Sequence, residues 1–109
     1  DIDLLAIDVA NRLAVIDVET SCVDGLLLRG VSHLEWVARN FANLRRTFQG
    51  AVIDVGARPR LFLVAPQFSP LFRSAVRQMA GLEIEYLRYH CADVSGTTGI
   101  LLERVDGEG

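Results

Sequence analysis

The sequence lacks lysine altogether, so arginine supplies all 11 of its basic side chains. These stand against 14 acidic residues, which gives a formal net charge of -3. An acidic balance argues against a protein that binds nucleic acid chiefly through its overall charge, although a local arginine face could still do so.

Cysteine and long apolar runs are also scarce. Cys22 and Cys91 are too few for a disulfide framework, and their apolar contexts predict reduced thiols in a cytoplasmic protein. No stretch reaches the roughly 18 apolar residues of a membrane span, so no membrane partner is expected. Half of the 109 residues are apolar, which predicts a single globular domain over residues 1–109.

The apolar periodicity changes along the chain from strand-like to helical and back. Strands are expected at 2–9, 13–20, 60–65, 82–91 and 100–105, and helices at 24–48 and 70–80. Asp24 and Ser69 are the expected N-caps, the run "RLFLVA" suits a strand covered on both faces, and a change of phase after Tyr86 predicts a bulge. This order predicts an α/β fold whose mixed sheet is flanked by helices.

The first two strands are joined by a tight hairpin at Ala10–Arg12, where Asn11 suits a left-handed backbone conformation. A two-residue loop would place Asp3 and Asp17 on opposite faces of the pair. A three-residue or bulged loop pairs Asp3 with Glu19 and Leu5 with Asp17, so that the three acids share one face. The loop length therefore tests any site built from these acids.

Asp17 and Glu19 interrupt an otherwise apolar strand, "AVIDVE". Burying a carboxylate costs several kcal/mol unless it is paired, protonated or bound to a cation. Mg²⁺ prefers oxygen ligands and is usually held by one or two carboxylates plus water and a substrate phosphate. Asp3, Asp17 and Glu19 on one face are therefore candidate metal ligands, in a site suited to phosphodiester hydrolysis.

The segment "IDLLAIDVANRLAVIDVE" resembles the hairpin of the PD-(D/E)XK nuclease superfamily, the restriction-endonuclease-like fold. In that comparison Asp3 matches the first acid, Asp17 the second, and Glu19 the position of the family's lysine. The segments "GLLLRGVSHLEWVARN" and "RLFLVAPQFSPLFRSAVRQMA" are also similar to parts of such nucleases. The resemblance implies a DNA nuclease that depends on Mg²⁺ or Mn²⁺, with Asp3, Asp17 and Glu19 as catalytic and metal-binding residues, and it implies a homodimer.

Three departures from the family pattern favour a second interpretation. Glu19 replaces the lysine, Arg29 stands at the approximate position of a helical glutamine, and the family's first helix and strand are absent from this chain. Some members resemble this sequence in using glutamate at the lysine position. The alternative is a catalytically inactive domain of the same fold that acts as a protein-interaction or DNA-binding module.

The remaining candidates carry weaker signals. Arg29, Arg39 and Arg46 would line a DNA path, because arginine binds phosphate through paired hydrogen bonds, although a solvated helix face is the commoner explanation of such arginines. A zinc site is not expected, because His90 and Cys91 are strand neighbours that point to opposite faces. Ser32 and His33 are not expected to act together as nucleophile and base, since neighbours on a helix diverge.

Overall fold

The computed structural model describes residues 2–20, 25–54, 56–79 and 81–105. Within them lie β1 (Leu4–Ile7), β2 (Leu13–Val18), α1 (Gly25–Arg39), α2 (Phe41–Thr47), β3 (Arg60–Ala65), α3 (Pro70–Arg77), β4 (Ile84–Val94) and β5 (Thr97–Arg104). The strands form one sheet in the order β1-β2-β3-β4-β5. The β2-β3 and β3-β4 pairs are parallel and the two outer pairs are antiparallel. The predicted α/β class with a mixed sheet is thus confirmed.

The predicted helix over 24–48 is divided into α1 and α2 at Asn40. The Asn40 side-chain amide donates a hydrogen bond to the carbonyl of Trp36 at 2.8 Å. Asparagine commonly competes with helical hydrogen bonding in this way, which explains the break. The predicted cap at Asp24 lies outside the described residues, as does Cys22. Ser69 does cap α3, because its hydroxyl accepts from the Phe72 amide at 3.0 Å.

The β1-β2 hairpin has the register that places the acids on one face. Leu4 pairs with Ile16 and Leu5 with Val15, so Asp3 falls opposite Asp17. The expected pairings of Asp3 with Glu19 and of Leu5 with Asp17 are wrong by two residues. The turn is longer than predicted because the Asp8 carboxylate accepts from the backbone amides of Ala10 and Arg12, at 2.9 and 3.0 Å. Asn11 has the expected left-handed conformation, with φ of 65°.

β4 and β5 form a longer hairpin than predicted, joined by a tight turn at Ser95 and Gly96. Both turn residues have positive φ, 52° and 82°, as a type I′ turn requires. The expected bulge after Tyr86 is wrong, because pairing runs without interruption from Leu87 to Val94. The change in apolar phase arises instead because the strand leaves the helix layer and becomes exposed on both faces.

One face of the sheet, called the covered face below, packs against the helices. The strand residues of the hydrophobic core all alternate onto this face: Leu13, Val15, Leu61, Leu63, Ala65 and Tyr86. Gly30 lets α1 approach β3 closely, since a Cβ atom there would lie 2.7 Å from a methyl group of Leu63. Phe72 of α3 stacks edge-on against Tyr86. The hydrophobic core therefore lies between the sheet and one layer of helices.

The opposite face, called the open face below, carries no described helix. Its strand residues are Leu4, Ala6, Ala14, Ile16, Val18, Arg60, Phe62, Val64, Glu85, Leu87, Tyr89, Cys91, Asp93, Thr98, Ile100, Leu102 and Arg104. Ala14 and Val64 are buried, but neither belongs to the core cluster, and several larger side chains are exposed. The sequence predicts that β3 is covered on both faces. The described helices cover it on one face only. None of these helices has the length and apolarity needed to cross a membrane.

Candidate functional site: an acid cluster between β2 and α1

Asp17 lies at the end of β2 on the covered face and is fully buried, with 0% of its surface exposed. The His33 imidazole donates from Nδ1 to its Oδ2 at 2.7 Å. The Asp3 backbone amide donates to its Oδ1 at 3.3 Å. Both carboxylate oxygens are therefore engaged, as a buried ionisable group requires.

Asp3 and Glu19 are held by a different partner, Arg29. The guanidinium lies 3.6 Å from the Asp3 carboxylate and 3.4 Å from that of Glu19, and it donates to the carbonyl of Val18 at 3.1 Å. Asp3 also accepts from the Val18 amide at 2.8 Å. A positive charge thus stands between two of the three acids, and the acid cluster comprises Asp3, Asp17, Glu19, Arg29 and His33.

The fold positions this cluster through strand register and helix spacing. The hairpin register brings Asp3 across from Asp17, and β-strand alternation places Glu19 on the same face. Arg29 and His33 are four residues apart on α1, so they project from one side of the helix. Gly30 allows that side of the helix to lie close to the sheet.

The arrangement does not fit a magnesium ion. Mg²⁺ requires near-octahedral oxygen ligands and keeps several waters, whereas Asp17 is closed to solvent and both its oxygens have partners. In the ranges 2–20, 25–54, 56–79 and 81–105, no three His, Cys, Asp or Glu side chains form a group that could hold a metal ion. The predicted ligands Asp3, Asp17 and Glu19 share a face, but Arg29 contacts Asp3 and Glu19, and His33 is hydrogen-bonded to Asp17.

His33 is the residue that the sequence analysis missed as a partner of Asp17. The available signal was its spacing from Arg29 on the helix that follows the acidic strand. Its side chain is 15% exposed and lines a shallow pocket of about 380 Å³ with Ile2, Ser32 and Trp36. Ser32 and His33 line this pocket together, yet no hydrogen bond links them in the described part of the chain. Asp17 therefore fixes the orientation of the His33 imidazole in this pocket, but the Ser32 hydroxyl is not hydrogen-bonded to it in the described structure.

Of the three arginines predicted to contact nucleic acid, only Arg29 lies at the cluster. Arg39, at the end of α1, is ion-paired with Glu35, and Arg46 of α2 donates to the side chain of Asn43. Ten helical residues, or about 15 Å, separate Arg39 from Arg29 along α1. These arginines form no continuous basic track with the acid cluster.

A second charged network, called the ion belt, runs along the opposite end of the sheet and comprises Asp8, Arg12, Arg60, Glu83, Glu85 and Arg104. Arg12 donates a hydrogen bond to Glu83 at 2.9 Å. Arg60 and Arg104 both form ion pairs with Glu85. The Arg12 backbone amide holds the pKa of the Asp8 carboxyl below its ordinary value of 3.8. The hydrogen bond from the Arg12 side chain likewise lowers the pKa of Glu83. This network is a surface feature, in contrast to the buried Asp17.

Comparison of the chain with protein-family models, with curated proteins and with solved structures found no match. The similarity to PD-(D/E)XK nucleases therefore remains a prediction from the hairpin residues. The geometry of the acid cluster becomes the main guide to function.

Proposed function

We propose that this chain is a catalytically inactive domain of the restriction-endonuclease-like type, and that it acts by association with a partner rather than by hydrolysis. One observation carries the proposal: the cation at the acid cluster is Arg29, a part of the chain itself. Its guanidinium contacts Asp3 and Glu19, while Asp17 is closed against His33.

The charges of the cluster support this proposal. Relative to the family that the chain resembles, Glu19 replaces a lysine and Arg29 replaces a glutamine. The first change makes the charge next to β2 negative, and the second adds a positive charge on α1, which faces it. The pair lies 3.4 Å apart, so the positive charge has moved from the strand to the helix. A guanidinium stays protonated at physiological pH and cannot accept a proton from water. It neutralises the acids without providing a base.

A calorimetric titration with Mg²⁺ and with Mn²⁺ tests the neutralised cluster. We expect no binding at millimolar metal for the wild type, since a cation must displace Arg29 to reach Asp3 and Glu19. Arg29→Gln removes that competitor, and we expect it to bind Mn²⁺ at least about tenfold more tightly. Arg39→Gln is the matched control, because it makes the same change on the same helix outside the cluster.

Plasmid and single-strand cleavage assays with the same variants test the absence of hydrolysis. The proposal predicts no metal-dependent cleavage by the wild type. Cleavage that requires Mg²⁺ or Mn²⁺, and that Asp17→Ala abolishes while Arg39→Gln retains, would contradict it. Activity that is equal in the wild type and Asp17→Ala would identify a contaminating nuclease.

Magnesium-dependent DNA hydrolysis is the second candidate function, and the hairpin register favours it. Asp3 lies opposite Asp17, and Glu19 shares their face, as a ligand set of three acids requires. Under this candidate Asp3 and Asp17 hold the ion and Glu19 assists. It requires Arg29 to leave Asp3 and Glu19, and His33 to release the buried Asp17, when metal and DNA bind, so the metal affinity of the wild type would rise in the presence of DNA.

A further inference from the structure

We propose that the pocket beside the acid cluster, called the His33 pocket below, binds a small, neutral aromatic compound of the phenol class. The pocket has a volume of about 380 Å³ and is lined by Ile2, Ser32, His33 and Trp36. This inference rests on the proposed function, because it gives the closed Asp17–His33 pair a role in binding in place of a role in hydrolysis.

The hydrogen bond to Asp17 determines what His33 offers to a ligand. Nδ1 of His33 lies 2.7 Å from Oδ2 of Asp17, and a carboxylate only accepts, so Nδ1 carries the hydrogen. The other nitrogen of a neutral imidazole, Nε2, is then an acceptor. Nε2 has no hydrogen-bond partner among the residues that the structure describes. A ligand that contacts Nε2 must therefore donate a hydrogen bond to it.

The imidazole is also held in a fixed orientation, which favours binding. Asp17 is fully buried, and its second carboxylate oxygen accepts from the Asp3 backbone amide at 3.3 Å. The His33 side chain is itself only 15% exposed. Because the ring is already ordered in the free protein, little conformational entropy is lost when a ligand donates to Nε2.

Trp36 indicates that the ligand contains an aromatic ring. It lies three residues after His33 on α1, so the two side chains project from the same side of the helix. Trp36 is 50% exposed, and within the described ranges its indole contacts no other aromatic ring. Ile2 adds an aliphatic side chain to the same pocket. An exposed indole beside an aliphatic wall suits a flat apolar ring, which gains both buried surface and an aromatic contact.

The charges near the pocket disfavour an anionic ligand. The acid cluster contains three carboxylates and one guanidinium, and that guanidinium already contacts Asp3 and Glu19. A phosphate or carboxylate next to His33 would be repelled by these acids. A phenol is neutral below a pH of about 10 and offers one O–H donor. It therefore matches both the acceptor nitrogen and the surrounding charge.

The size of the pocket limits the ligand to a small compound. Small-molecule sites commonly have volumes of about 300–1,000 Å³, and the His33 pocket, at about 380 Å³, is near the lower end. A compound with one ring fits this volume better than a nucleotide does. For a ligand of this size we expect a dissociation constant of about 0.1–1 mM.

A fluorescence titration of the full chain with p-cresol tests the site directly, because Trp36 is the single tryptophan of the sequence and lines the pocket. We expect a saturable change in tryptophan emission. Toluene keeps the ring and the methyl group but lacks the hydroxyl, so it should bind at least about tenfold more weakly. Benzoate, an anion, should not bind. No saturable change with p-cresol, or equal affinity for toluene, would overturn the proposal.

His33→Asn tests the role of Nε2, because asparagine keeps an N–H donor for Asp17 but has no atom at the position of Nε2. It should weaken p-cresol binding at least about tenfold and leave toluene binding unchanged. His90→Asn is the matched control, since His90 lies on the β4-β5 hairpin and pairs with Glu103. Circular dichroism checks that both variants are folded. Equal weakening by the two variants would contradict the proposal, and the comparison of p-cresol with toluene on the wild type needs no variant.

N-Acetyltyrosine amide carries the same phenol on a peptide backbone and distinguishes two sources of the ligand. Weaker binding than that of p-cresol supports a free compound. Tighter binding would assign the pocket to a tyrosine side chain of a protein partner and overturn the small-molecule assignment.

The failure of this inference is distinguishable from failure of the proposed function, because phenol binding and DNA cleavage are measured separately on the same wild-type protein. A chain that cleaves no DNA and binds no p-cresol would overturn the ligand assignment alone. A chain that binds p-cresol and also cleaves DNA with Mg²⁺ would overturn the proposed inactivity alone.

Discussion

The two faces of the sheet are built from similar side chains but differ in what covers them. On the covered face, Leu61 and Leu63 lie beneath α1 and are fully buried. On the open face, Leu4 and Val18 remain exposed although they are also apolar. The apolar content of a strand therefore shows that it needs a packed layer against it. The side on which the crossover helices lie determines which face of the sheet is covered.

The largest expected contrast comes from the same truncation on each face. Leu63→Ala should lower the free energy of unfolding by about 2–5 kcal/mol, because it leaves a cavity under α1. Leu102→Ala should change it by less than about 0.5 kcal/mol in the monomer, because no described helix packs there. Urea unfolding followed by circular dichroism, at one low protein concentration, measures both. Equal losses would show that the open face is already packed within one chain.

A double-mutant cycle on Asp17 and His33 probes the polar part of the covered face. Each of Asp17→Ala and His33→Ala leaves the other group without its partner, so each should destabilise the fold by about 2–4 kcal/mol. Their coupling energy should be about 1–3 kcal/mol, since the two side chains form one hydrogen-bonded unit. Ser32→Ala, on the exposed side of α1, is the control. Additive effects would contradict the pairing.

The smallest effect is expected from the ion belt at the edge of the open face. The folded state lowers the pKa of Asp8, so its ionised form adds stability above pH 3.8, and that stability is lost as the pH falls further. The melting temperature should therefore decrease less between about pH 5 and 2.5 for Asp8→Asn than for the wild type. Identical slopes would argue against a native-state role for the Asp8 charge.

Local chemistry made much of the fold predictable. Apolar patterns identified the five described strands, β3 through its continuous apolar run. Ser69 and Pro70 identified the start of α3, and Asn11 identified the left-handed position of the first turn. The shared face of Asp3 and Asp17 also followed, once a longer loop was considered. These features depend on neighbours within a few residues, where spacing carries the information.

The rest depends on contacts between distant residues. Asp17 and His33 are 16 positions apart, and their approach is set by how α1 crosses the sheet. The two-residue difference in register came from Asp8, whose side chain closes the turn early. The open face was not predicted, because a continuous run such as "RLFLVA" does not reveal whether a second layer is present.

The outer edge of β5 has a further consequence. Within the described ranges no strand pairs with this side of Thr97–Arg104, and the strand contains neither proline nor lysine to discourage pairing. Its free amide and carbonyl groups form a template on which additional chains can extend the sheet laterally. The outer edge of β5 is therefore a place in the described sheet where a further strand could add through backbone hydrogen bonds.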